Sequence, residues 1–191
     1  MRKIPSILAI LAAAALSACG GHNNTSDSAA VNEGSAAVNN QLSQDDDYTG
    51  SVSDFTVEFD GGKAEIVRYN GAGGDVVIPG EINGMRVDEI ESRAFENCTE
   101  LTSVTIPGSV KSIGDDSFAN CVNLSSVTIE YGVREIDEYA FSGCTSLTRL
   151  DIPETVTEIE RFAFSGCPNL IVTYHGATYT GEGIFRIYNE D

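Results

Sequence analysis

Apolar and polar residues begin to alternate near Asp54, after a long stretch without such a pattern. Phe55, Val57 and Phe59 alternate with polar residues, and a second alternating run follows the Asp-Gly-Gly turn at residues 60–62. Two alternating runs joined by a glycine turn are typical of a β-hairpin. The pattern therefore predicts a hairpin at the start of the folded part of the chain.

Beyond the hairpin, apolar positions recur every 23 residues over four units. The recurrence is strict in five columns of identical residues, which identifies a repeat protein. The columns are Val87, Val110, Val133 and Val156; Ile90, Ile113, Ile136 and Ile159; Phe95, Phe118, Phe141 and Phe164; Cys98, Cys121, Cys144 and Cys167; and Leu101, Leu124, Leu147 and Leu170.

Each unit has two short apolar stretches and a compact turn, which are too little to bury an apolar face alone. Stacking the units aligns identical side chains and builds a continuous core, so the pattern predicts a repeat solenoid. In the stretch at residues 101–107, Val104 and Ile106 should point inward and Ser103 and Thr105 outward. We therefore expect a leucine-rich-repeat-like stack of short parallel β-strands joined by short helical or 3-10 turns.

The end units depart from the repeat, as capping units do. Val76 and Ile78 supply a first strand, and residues 81–85 are extra and should loop out. In the last unit the phase shifts by one residue, so that Val172 and Tyr174 should point inward. We place the repeats at about residues 75–173, a hairpin cap at 54–74 and a C-terminal β segment as a cap at 174–191.

The repeat unit resembles a known family. The stretch Val-Ile-Pro-Gly-Glu-Ile-Asn-Gly at residues 77–84, followed by Ala-Phe-Glu-Asn-Cys at 94–98, is similar to the opening unit of BspA-type leucine-rich repeats, a 23-residue variant found in bacterial surface proteins. The departures are Ser117 in place of Ala and Glu130-Tyr131 in place of Pro. The resemblance implies no catalytic motif, and some members resemble adhesins that bind host matrix proteins or other cells.

The N-terminus has the features of an export signal. Arg2 and Lys3 precede a short apolar segment at residues 7–16, which is too short for a permanent membrane span. The segment ends in Leu-Ser-Ala-Cys at residues 16–19, which resembles a bacterial lipoprotein cleavage site. We therefore predict removal of residues 1–18 and lipidation of Cys19; the alternative is an ordinary cleavage site with a chance cysteine.

Residues 19–53 are small and polar, with five acids and no Lys or Arg. Such a segment buries too little apolar area to fold, so we predict a flexible acidic tether that reaches on the order of 30 Å. Together these features predict an exported domain, residues 54–191, anchored to the cell membrane through the lipid on Cys19. It would face the extracellular side or the periplasm.

The charge excludes one class of partner. The chain has 11 Lys and Arg against 29 Asp and Glu, a formal charge of −18, which becomes −20 once Arg2 and Lys3 are removed. Nucleic-acid binding requires clustered cations that neutralise phosphates, so we expect no nucleic-acid partner.

The four repeated cysteines could be core residues, disulfides or metal ligands. Thiols in a line about 5 Å apart cannot surround one zinc ion, and their parallel Cβ vectors disfavour disulfides. We interpret them as small buried core residues, with disulfides as the alternative. His175 could pair with Cys167 only in the C-terminal cap, and no third group orients such a pair. We therefore expect no enzyme, cofactor or metal site.

The remaining functional candidate is the outward side of the predicted parallel strands, here called the front face. Its hydroxyl-rich surface could bind a protein or glycan ligand, although Thr is also simply favoured on exposed strands. Two function classes therefore stay open: a surface binding module, and a structural or assembly lipoprotein of the cell envelope without an external ligand. The candidate binding residues are Ser103, Thr105, Ser126, Thr128, Arg149 and Asp151.

Overall fold

The computed structural model describes residues 48–52 (backbone only), 54–181 and 184. The predicted signal peptide, Cys19 and all of the predicted tether before residue 48 lie outside these residues. The described part contains fourteen β-strands joined by turns, and none of its segments is a helix long and apolar enough to cross a membrane.

The strands form a parallel solenoid of two layers, as the repeat predicts. One layer carries the front face and consists of two short sheets in line. Their strands are β4 (Gly74–Val77), β7 (Leu101–Ile106) and β9 (Ser126–Ile129), and then β11 (Arg149–Asp151), β13 (Ile171–Tyr174) and β14 (Ala177–Thr180). The strands β9 and β11 contact each other, so the two sheets continue one surface.

The other layer is an eight-stranded sheet, here called the back sheet, which the sequence analysis did not predict. Its repeat strands are only two residues long, too short to show alternation, so the Val-x-x-Ile motif gives no strand signal. The strands are β1 (Tyr48–Val52), β2 (Phe55–Asp60), β3 (Lys63–Tyr69), β5 (Glu81–Ile82), β6 (Met85–Ile90), β8 (Ser112–Ile113), β10 (Glu135–Ile136) and β12 (Glu158–Ile159).

The wide turns that lead from the back sheet to the front face are not helical, contrary to expectation. In the first turn, Phe95 N–H donates to Ser117 O and Asn97 N–H to Ala119 O, both in the next unit. Every second amide is thus committed to the neighbouring unit rather than to its own helix. Positive φ angles at Arg93 (63°) and Asn97 (60°) also interrupt a helix. The 3-10 state occurs only at Gly181 and Ile184 among the described residues.

The core consists of the predicted columns. Phe95, Phe118 and Phe141 are fully buried and stack with ring centroids 4.7 and 5.2 Å apart. Tyr69 from β3 extends this stack at 4.9 Å on one side, and Phe164 extends it at 6.0 Å on the other. The aromatic ladder therefore runs through the wide turns from the hairpin to the last unit.

The ends match the predicted caps with two differences. The hairpin of β2 and β3 forms as predicted, but β1 pairs with β2 and occupies residues 48–52, which were assigned to the tether. Backbone pairing to an edge strand requires no apolar pattern, so this strand left no sequence signal. Residues 81–85, expected to loop out, instead belong to the small hairpin of β5 and β6, in which Glu81 pairs with Arg86.

At the C-terminal end, Val172 is buried and Tyr174 packs against the core, which confirms the phase shift. The strand β14 pairs antiparallel with β13, and most of the predicted cap after Gly181 lies outside the described residues.

Candidate functional site

The six predicted residues lie together on the front face. Register pairs Ser103 with Ser126 and Thr105 with Thr128 across β7 and β9. Arg149 and Asp151 occupy the equivalent positions on β11, which pairs with Ile171 and Thr173 of β13. Inward residues between them, such as Val104 and Leu150, are buried and fix which side chains face outward.

At one end of the front face, a carboxylate organises two hydroxyls. The Asp75 Oδ1 atom accepts hydrogen bonds from Ser103 Oγ at 2.7 Å and from Thr102 Oγ1 at 3.0 Å. These bonds favour the charged form and lower the pKa of Asp75. Sequence reasoning did not include Asp75, although register places it directly beside Ser103.

At the other end, Arg149 and Asp151 form a bidentate ion pair. The guanidinium donates from Nε at 3.2 Å and from Nη2 at 3.0 Å to the two carboxylate oxygens. The pair, together with a hydrogen bond from Thr173, lowers the pKa of Asp151. Both side chains remain about two-thirds exposed, at 66% and 63%, so they present donors and acceptors to solvent.

Two exposed apolar side chains lie at opposite ends of the same surface. Val77 on β4 is 71% exposed, and Ile171 on β13 is 39% exposed. Ile171 was missed because the last unit departs from the repeat, but its pairing with Arg149 places it on the face. The front face therefore combines a hydroxyl centre with one charged pair and apolar corners.

The back sheet carries a different chemistry. Register aligns Glu65, Glu89, Ser112, Glu135 and Glu158 on neighbouring strands, so four of five aligned positions are acidic. Carboxylate oxygens of Glu65, Glu89 and Glu91 all lie within 4.8 Å of one another. Burial, followed by the charges of Glu91 and Glu65, raises the pKa of Glu89 to about 7.

This acidic cluster offers oxygen ligands of the type that Ca²⁺ prefers. Protonation also allows these carboxylates to lie close together. Burial, followed by the charge of Glu91 and a hydrogen bond with it, raises the pKa of Glu65. The raised pKa values of Glu65 and Glu89 favour protonation, which relieves the repulsion between the neighbouring carboxylates.

The four repeated cysteines are free and buried, as the interpretation as core residues requires. The thiols of Cys121, Cys144 and Cys167 donate to the carbonyl oxygens of Phe95, Phe118 and Phe141 at 3.1–3.2 Å. Burial raises the pKa of the Cys167 thiol to about 11, which leaves almost no thiolate at neutral pH. His175 lies exposed in the last turn with its ring against Tyr174.

Comparison with known proteins agrees with this geometry. A family model described as the BspA type leucine-rich repeat region matches residues 81–186 in six copies. No functionally curated protein matches the chain.

Solved structures of bacterial repeat proteins have the same fold. A leucine-rich repeat protein from Bacteroides capillosus is 33% identical, with a TM-score of 0.60, over 67% of this chain and 99% of its own. The leucine-rich repeat protein of T. pallidum is 30% identical, with a TM-score of 0.55, over 65% of this chain and 71% of its own. A protein from Bacteroides ovatus is 26% identical, with a TM-score of 0.53, over 65% of this chain and 40% of its own.

The 23-residue unit, the two-layered solenoid built from it and the match over more than half of the sequence lead to one conclusion: the chain belongs to the BspA-type leucine-rich repeat family.

Proposed function

We propose that the protein is an exported, lipid-anchored and non-enzymatic binding module whose front face contacts a protein or glycan ligand at the cell surface. The observation that carries this proposal is the contrast in charge. The two outward columns of the front face contain two acids and one base, whereas the chain as a whole has 29 acids and 11 bases. A nearly neutral surface permits the close approach of partners of either charge. The acidic remainder of the molecule would repel an anionic partner.

The polar groups of the front face suit directional contacts. Thr128 and Ser126 are exposed, and the Arg149–Asp151 pair offers both donors and acceptors beside them. Parallel strands lie about 4.8 Å apart, so the hydroxyls form a regular array. A flat array of this kind supports many weak contacts to an extended ligand rather than one deep pocket.

Charged substitutions on the front face test this function. In the full-length protein, Thr105→Glu and Thr128→Glu should reduce capture of the ligand from host material, because each places an unpaired carboxylate in the contact. Thr99→Glu is the matched control, since Thr99 is exposed in a wide turn outside the front face. Equal capture by all three variants would argue against the front face as the binding surface.

The alternative is a structural or assembly lipoprotein that acts within its own envelope, for which the predicted anchor is the supporting feature. Parallel pull-downs from host material and from the producing cell's envelope separate the two functions. A partner found only in the envelope fraction, with Thr128→Glu still binding it, favours the structural role.

The predicted anchor on Cys19 is tested separately. Cys19→Ala should move the protein from the membrane fraction to the soluble fraction, because it lacks the thiol that carries the lipid. Retention of the variant in the membrane fraction would refute lipidation at this residue.

A further inference from the structure

Several basic residues lie where the chain passes from the front face to the back sheet. Residues 54–181 contain eight Lys and Arg against twenty-one acids. Three of the eight, Arg86, Lys111 and Arg134, lie on successive units beside β6, β8 and β10. We call these three residues the basic row.

Backbone hydrogen bonds fix the spacing of the basic row. Lys111 N–H donates to Asp88 O at 2.6 Å, and Arg134 N–H donates to Lys111 O at 2.9 Å. Lys111 and Arg134 therefore occupy equivalent positions on neighbouring rungs, about 4.8 Å apart along the solenoid axis. Asp88 occupies the equivalent position on the preceding rung, and Arg86 lies two residues before it on β6.

Two of the three cations are held in place. Arg86 donates from Nε and Nη2 to Ser109 O at 3.2 and 2.8 Å. Lys111 Nζ donates to Gly132 O at 2.9 Å and to Gly108 O at 3.5 Å. Gly108 and Gly132 permit this arrangement, because a Cβ on either would collide with the backbone of the neighbouring turn. The ammonium group is thus positioned by backbone carbonyls rather than by an acid.

Asp88, the acid beside Lys111, is shared with other cations. Asp88 already pairs with Lys63 at 2.8 Å and lies 3.9 Å from Arg86. Among the described residues, neither Lys111 nor Arg134 makes an ion pair. Burial and then the charges of Arg86 and Arg134 lower the pKa of Lys111, while the charge of Asp88 acts in the opposite direction.

Two acids and the exposed aromatic residue of the tight turns that lead from the front face to the back sheet have other contacts. The Glu130 carboxylate accepts the Gly108 N–H at 3.1 Å, and Glu154 accepts the Tyr131 hydroxyl at 3.4 Å. Tyr131 is 67% exposed and directly precedes Gly132, whose carbonyl holds Lys111. An exposed ring therefore lies in the same turn as the carbonyl group that holds the Lys111 ammonium.

We propose that the basic row is a second binding site, which takes an acidic polysaccharide through its carboxylate groups. Lys111 and Arg134 would each contact a carboxylate, and Tyr131 would offer an apolar surface to a sugar ring. The acid excess of the surrounding molecule selects a ligand of low charge density. A duplex with one phosphate charge per 1.7 Å of axis would be repelled outside the row. This site is separate from the front face and does not rest on the function proposed for it.

The test uses the full-length protein, carboxymethyl dextran as the acidic probe and unsubstituted dextran of equal length as the neutral one. The protein should bind the acidic probe more tightly than the neutral one. Arg134→Gln should weaken that binding about fivefold, the effect of one close charge pair near water. Thr128→Glu on the front face should leave it within twofold.

Arg161→Gln is the matched control, because Arg161 is also exposed and makes no ion pair among the described residues. The control should bind as the unaltered protein does. Equal losses in Arg134→Gln and Arg161→Gln would overturn the proposal in favour of diffuse electrostatic attraction. Equal affinity for both dextrans, or no binding to either, would also overturn it.

Discussion

The front face and the back sheet grow from the same 23-residue unit and share one core, yet they expose opposite chemistry. On the front face the outward aligned positions of β7 and β9 are Ser and Thr, whereas on the back sheet four of five aligned positions are Glu. The inward residues of both layers are equally buried. Stability therefore belongs to the repeat columns that the two layers share, and the outward positions vary without cost to the core.

The largest expected effect is on this shared core. Phe118→Ala should destabilise the protein by about 3–5 kcal/mol, because it removes a fully buried ring stacked between Phe95 and Phe141. Urea denaturation should show one transition for both layers. The control is Phe162→Ala, since that ring is 39% exposed and should cost about 1 kcal/mol or less. Similar losses in the two variants would contradict a common core.

The next effect concerns the wide turn between the layers. Ser117 is buried, and its hydroxyl has no hydrogen-bond partner among the described residues. The equivalent residues of the other units, Ala94, Ala140 and Ala163, have a methyl group at this position. Ser117→Ala should therefore stabilise the protein by about 1 kcal/mol. The reverse change, Ala140→Ser, should destabilise it by about 1–3 kcal/mol. Thermal denaturation measures both, and a loss of stability in Ser117→Ala would refute this account of the turn.

A third prediction uses pH to separate the back sheet from the front face. The pKa of Glu89 is raised to about 7 in the folded protein, so the folded state binds more protons than the unfolded state below that pH. The contribution of Glu89 to stability is therefore fully present below about pH 4.5 and is lost as pH rises through about 7.

Glu89→Gln removes this dependence. Its stability relative to the unaltered protein should rise by about 1 kcal/mol between pH 5 and pH 8, a value reduced for solvent screening of a half-buried group. Urea denaturation at each pH measures the difference. Thr128→Ala on the front face titrates no group, so its difference should stay constant. A constant difference for Glu89→Gln would contradict the proton-binding cluster.

The smallest expected effect is that of the exposed ion pair. Arg149→Ala should leave the thermal midpoint unchanged, because water and salt screen a pair that is about two-thirds exposed. Its effect should appear only in ligand binding at the front face. A clear fall in the midpoint would show that the pair stabilises the solenoid.

The sequence predicted the features that repeat strictly. Phe118 and Cys121 recur at a fixed interval and are buried, so periodicity alone was enough to assign them to the core. The two-residue strands at Ser112 and Glu135 escaped prediction, because strand pairing there depends on neighbouring units rather than on local alternation. The wide turns were expected to be helical because inter-unit hydrogen bonds, such as Phe95 N–H to Ser117 O, cannot be inferred from one unit.

The candidate site was predicted in part for similar reasons. Alternation placed Thr105 and Thr128 outward, and the structure aligns them across two strands. The contacts of Asp75 with Ser103 and of Asp151 with Thr173 depend on register at the irregular end units, where the 23-residue interval fails. Positions in the regular units were therefore predictable, and partners at the ends were not.

Photo-crosslinking tests the difference between the two layers most directly. A photoreactive amino acid is placed at Thr128 on the front face or at Glu58 on β2 of the back sheet, and the full-length protein is irradiated with host surface material. The account predicts adducts of defined mass from position 128 and none from position 58. Adducts from position 58 alone, or equally from both positions, would contradict a binding function of the front face.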